Sequence, residues 1–100
     1  MKAVMILEKV PFAFETLTVS DADVSALTAT YTAEADNALI TVESNNIRFR
    51  IDGGDPTAAV GHLIVADGYQ NLFLGTYAAI RALRMISVSG NATVFVTYYK

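Results

Sequence analysis

The stretch Asn37-Ala38-Leu39-Ile40-Thr41-Val42-Glu43-Ser44-Asn45-Asn46-Ile47-Arg48-Phe49-Arg50-Ile51 decides the fold class. Ala38, Ile40 and Val42 alternate with Leu39, Thr41 and Glu43, and after Asn45-Asn46 the residues Ile47, Phe49 and Ile51 alternate with Arg48, Arg50 and Asp52. Successive side chains of a strand point to opposite faces, so a period of two gathers one apolar row on one face, whereas a helix repeats at about 3.6. Asparagine tolerates positive φ better than most residues, which suits Asn45-Asn46 to a turn. The stretch predicts a β-hairpin with one buried face.

The same signals extend outward. Ala92 to Tyr99 predicts a strand with Val94, Val96 and Tyr98 on one face and Thr93, Phe95, Thr97 and Tyr99 on the other. With neither face charged, such a strand belongs in the middle of a sheet or against a neighbouring subunit, because an exposed apolar edge invites aggregation. Met1 to Lys9, Glu15 to Val19 and Gln70 to Leu74 predict further strands, with a turn or helix cap at Asp21-Ala22-Asp23 and a turn at Ser87 to Asn91. Val24 to Ala35 fits a short helical turn or another strand. In Tyr77 to Ile86 the spacing of Tyr77, Ile80 and Leu83 fits one side of a helix while Arg84 to Val88 also reads as extended, and a brief turn leading into a strand is the preferred reading. Ten threonines, five tyrosines and frequent turn residues support the same class. The expectation is all-β: one antiparallel, jelly-roll-like β-sandwich domain over residues 1–100, with seven or eight short strands and little helix.

Composition narrows the function classes. Hydrophobic residues make up 53% and charged residues 17%, a thin charge for a free monomer, which points to buried subunit contacts unless the alanines account for it. A net charge of −3 with seven Lys and Arg along the chain disfavours binding to nucleic-acid phosphates. Absence of cysteine removes disulfides and thiolate chemistry. Glu8 follows the first apolar run too soon for a cleaved signal peptide, and charges interrupt every candidate membrane span.

The densest polar segment runs from Arg48 to His62. Gly53, Gly54 and Gly61 permit backbone angles that other residues avoid, and Pro56 fixes its own φ and keeps Asp55 extended. Asp52 and Thr57 side chains accept from loop amides, and Arg50, two positions from Asp52 on the same face, braces the loop through it. A cation site on Asp52, Asp55 and Asp67 is the functional alternative, although the acidic spacing is not that of an EF-hand. No serine sits in a nucleophile elbow near the single His62, and no Gly-Lys-Ser/Thr follows Gly53-Gly54, so no catalytic residue and no cofactor is assigned. The aromatic residues fit either a core and subunit interface or a sugar-binding platform that lacks tryptophan.

Ile47 to His62, with its Arg-x-Arg-x-Asp-Gly-x-x-Pro-Thr core and Gly61-His62, together with Leu72 to Gly75, Ile80 to Ile86 and Val96 to Tyr99, resembles short β-sandwich proteins of tailed-bacteriophage virions. The likeness covers about the last 60 residues. It implies a non-enzymatic structural part, most simply a capsid decoration (cement) protein or an accessory of head, neck or tail. The implied partners are copies of the chain, with a trimer favoured, and other virion proteins such as the major capsid protein. The implied location is the virion, after synthesis in the host cytoplasm, with no role for membrane or nucleic acid. Phe95, Tyr98 and Tyr99 are the interface candidates. A carbohydrate- or receptor-binding sandwich is the rival expectation.

Overall fold

β-Branched and aromatic residues dominate the segments that pair in a computed structural model, which describes residues 9–66 and 70–100. Among the described residues seven strands form: β1 (Pro11–Val19), β2 (Asn37–Glu43), β3 (Ile47–Arg50), β4 (His62–Ile64), β5 (Asn71–Leu74), β6 (Arg84–Ser87) and β7 (Ala92–Tyr99). Two short helices, α1 (Ala29–Thr32) and α2 (Tyr77–Ala82), lie between them. The strands make a four-stranded sheet in the order β1-β7-β2-β5 and a three-stranded sheet in the order β4-β3-β6, with every pairing antiparallel. An isolated bridge from Ser25 to Met85 extends the smaller sheet beyond β6. The chain is therefore an all-β, sandwich-like fold. The strand expected over Met1 to Lys9 lies almost wholly outside the described residues.

The alternation in the sequence reappears as burial. Ala38, Ile40, Val42, Ile47 and Phe49 join Val94, Val96, Tyr98, Leu83 and Met85 in one core fed by both sheets. The expected hairpin does not form: β2 pairs with β7 and β5, while β3 pairs with β4 and β6. Ser44 at φ 75° and Asn45-Asn46 carry the chain from one sheet to the other. Both apolar rows still face the same core, because strands in opposed layers of a sandwich satisfy that requirement as well as strands side by side. Asn45 Nδ2 donates to the Asn91 carbonyl at 2.7 Å and the Asn46 carboxamide oxygen accepts from Ala66 N at 2.9 Å, which ties the crossing to both layers. Ile51, expected inside, is 42% exposed because β3 ends at Arg50.

The uncertain segments resolve in physical terms. Ser20 Oγ accepts from Ala22 N and Asp23 N, making the turn at Asp21 to Asp23. Val24 to Ala35 contains both expected forms, the Ser25 bridge and then α1. Where a brief turn was expected after Tyr77, six residues are helical: Thr76 Oγ1 accepts from Ala79 N at 3.1 Å and supplies the N-cap, and Ile80 anchors the turn in the core. Among the described residues no helix is long and apolar enough to cross a membrane.

Candidate functional site

Two surfaces concentrate the residues with chemistry to offer. The first is the loop from Ile51 to Gly61, which closes the end of the sandwich between β3 and β4. Arg50 forms a two-pronged pair with Asp52, Nε to Oδ1 at 3.0 Å and Nη2 to Oδ2 at 2.6 Å, and its Nη1 reaches the Asp55 carbonyl at 3.4 Å. Asp52 Oδ1 also accepts from Gly54 N at 3.1 Å. Thr57 Oγ1 accepts from Ala59 N and Val60 N at 3.2 and 3.0 Å, and Pro56 is buried beneath the loop. Arg48 Nη1 donates to the Gly61 carbonyl at 3.0 Å and its Nε to the Ala58 carbonyl at 3.4 Å.

Three glycines are fixed by this geometry. Gly53 sits at φ 87°. The Arg50 guanidinium crosses within 2.6 Å of where a Gly54 Cβ would stand. Gly61 combines φ 136° with a Cβ position 3.1 Å from the Phe49 carbonyl and 3.3 Å from Arg48 Cβ. Gly61→Ala is expected to cost about 1–3 kcal/mol from the backbone conformation, with crowding added, a loss that the urea midpoint reads.

The carboxylate of Asp52 is held at about 2, first by the Arg50 hydrogen bond and then by the Gly54 amide. A depressed folded-state value means that the brace is complete above about pH 4, the ordinary aspartate value, and is lost as pH falls through 2. The Gly54 amide resonance is expected to titrate with a midpoint near 2 in the wild type and to lose that step in Asp52→Asn.

The cation alternative receives no assembled ligand set: among the described residues no three His, Asp or Glu side chains gather at metal-binding distance. Asp67 lies outside the described residues. His62 stands exposed on β4, an edge strand, with its ring 5.2 Å from that of Phe49.

The second surface is the outer face of the four-stranded sheet. Register aligns Phe14, Thr97, Leu39 and Phe73 in one row across β1, β7, β2 and β5, and Thr16, Phe95, Thr41 and Asn71 in the next. Neither row contains a charge. Phe14 is 60% exposed and Phe73 56% exposed. Phe14 stacks on Phe95 with centroids 5.9 Å apart, and Phe73 meets Tyr99 edge-on at 6.0 Å. Of the interface candidates, Phe95 and Tyr99 belong to this face. Tyr98 does not: it is 0% exposed, packed against Phe12 and Tyr31, with its hydroxyl donating to Glu15. Its neighbours in the sequence are on the outside because the pleat places them there.

Sequence reasoning counted Phe14 and Phe73 among the aromatic residues of a core and interface or a platform, but missed Leu39 and the row that joins the three on one surface. Their alternation with core residues was visible, but only strand order brings the three together. No family model, no curated protein and no solved structure matches the chain.

Proposed function

We propose that the chain is a structural assembly module of a tailed-phage virion, a capsid decoration protein or an accessory of head, neck or tail, which works through contacts between copies and with neighbouring virion subunits. The observation that carries the contact reading is the pair of uncharged rows on the outer face of the four-stranded sheet, with Phe14, Phe73, Phe95 and Tyr99 at or near solvent and Glu43 at the margin. From strand spacing the two uncharged rows cover about 300 Å², within the range of patches on ordinary monomers, so composition rather than size sets the face apart. Aromatic residues without charge match the centre of a protein interface. A surface with no charge is met best by another such surface, and a second copy supplies one.

The wiring also supports a jelly-roll reading. With the Ser25 bridge taken as a vestigial strand beside β6, the two sheets contain the eight positions of two Greek keys. Jelly rolls serve capsids, lectins and enzymes alike, so the surface rather than the wiring carries the function. The assignment to a phage particle rests on the resemblance of Arg48 to His62 and of the later segments to virion proteins.

Light scattering of the purified chain over a range of concentrations tests the assembly reading. A closed oligomer supports it, a dimer where the aromatic faces pair with each other and a trimer as the resemblance implies; a monomer at every concentration overturns it.

A further inference from the structure

The sequence has four arginines, and three of them, Arg48, Arg50 and Arg84, point outward from the three-stranded sheet. Arg50 and Arg84 are direct cross-strand partners, and Arg48 lies two residues along β3 from Arg50. The fourth, Arg81, is exposed at the end of α2, where its carbonyl accepts from Arg84 Nη1 at 3.1 Å. Like charges placed opposite each other on a sheet repel, so the Arg50–Arg84 pairing by itself adds nothing to the stability of the fold. The described lysines are different: Lys9 pairs with Asp36 and Lys100 with Glu34.

Among the described residues only Arg50 of these arginines has a carboxylate partner, Asp52 at the loop margin. Among the described residues, Arg48 and Arg84 hydrogen-bond through their side chains to backbone carbonyls alone, which fixes the guanidinium planes without neutralising them. Each guanidinium has five N–H donors and a fork that fits a carboxylate. Beside them Leu63, the cross-strand partner of Arg48, is 43% exposed, with Val60 58% exposed and Ile51 42% exposed in the adjoining loop. Arginine interleaved with exposed aliphatic side chains suits a protein surface, where apolar contact accompanies charge pairing. A phosphate backbone would gain nothing from the exposed Leu63, whereas a protein segment can bury it.

We propose that the outer face of the three-stranded sheet is a second docking surface, for an acidic protein segment that pairs carboxylates with Arg48 and Arg84 and lays an apolar side chain against Leu63. This site stands on the sheet opposite the aromatic face and does not depend on self-association.

The test titrates the 15N-labelled chain with the peptide Glu-Leu-Glu-Val-Glu-Leu-Glu. Expected are shifts at the amides of Arg48, Leu63 and Arg84, with affinity falling about tenfold or more as salt rises from about 50 to about 500 mM. Arg84→Gln is expected to weaken the peptide about tenfold, since a fork–carboxylate pair is lost, with the folded amide spectrum and the oligomeric mass kept. Arg48→Lys, which keeps the charge and loses the fork, is expected to retain part of the affinity. Absence of shifts at these amides overturns the proposal, as does equal competition by duplex DNA, which would make the patch a phosphate site. Loss of the oligomer in Arg84→Gln also overturns it, because a second copy would then be the occupant; failure of the peptide test alone leaves the oligomer measurement untouched.

Discussion

Tyr98→Ala is expected to destabilise the chain by about 3–5 kcal/mol, a large share of the about 5–15 kcal/mol that holds a domain of this size together. Tyr98 is fully buried near the C-terminal end of β7, with the rings of Tyr31 and Phe12 at 5.1 and 6.4 Å. Its hydroxyl donates to Glu15, a half-buried carboxylate on β1 that also accepts from Thr28 Oγ1 at 2.6 Å and Thr28 N at 3.4 Å. One side chain thus fills the core, links two strands and satisfies an inward-facing acid. Tyr98→Phe separates these roles: the ring stays, one donor to Glu15 is lost, and about 1–3 kcal/mol should go with it. Urea melts at constant slope would read both values.

The same residue gives the chain an alkaline limit. Burial, and then the hydrogen bond to Glu15, push the Tyr98 phenol well above its ordinary range. A raised folded-state value means that the contribution is fully present below the unfolded value of about 10 and is lost progressively above it. Stability of the wild type should therefore decline above about pH 10, and Tyr98→Phe should flatten that decline. An equally steep decline in the variant would assign the alkaline limit to another group.

Local chemistry was legible in the sequence and strand partnership was not. Arg50, Asp52 and Gly54 lie within five residues, so spacing alone brings them within hydrogen-bond reach. The alternation in β2 and β3 foretold which side chains are buried, since a period of two identifies a face. It is silent on which sheet lies behind that face, and the Asn45-Asn46 crossing therefore read as a hairpin turn. In β7 neither row carries a charge, so nothing local separates Val94, Val96 and Tyr98 from Phe95, Thr97 and Tyr99 as inner and outer. Only the neighbours across the sheet decide it: Val96 lies between Glu15 and Ile40, whereas Phe95 lies between Thr16 and Thr41.

Adjacent positions of β7 should for that reason respond in opposite ways to a charge. Val96→Asp places a carboxylate where the side chain is 0% exposed and flanked by Ile40, a desolvation cost of several kcal/mol that the domain does not survive. Phe95→Lys places its charge on the outer face, where the flexible stem reaches water, and loses mainly the stack on Phe14, worth about 1 kcal/mol. The lysine variant should fold, with a wild-type amide spectrum away from the substituted face, and its self-association should weaken about 30-fold or more, as expected for a central aromatic contact worth 2 kcal/mol. A two-fold contact between aromatic faces would bring two lysines together, and raising the salt should recover part of the association. If Phe95→Lys folds and keeps the wild-type mass at every concentration, the aromatic face is not where copies meet. If it unfolds as Val96→Asp does, the two rows of β7 are not inner and outer, and the register of the four-stranded sheet is wrong.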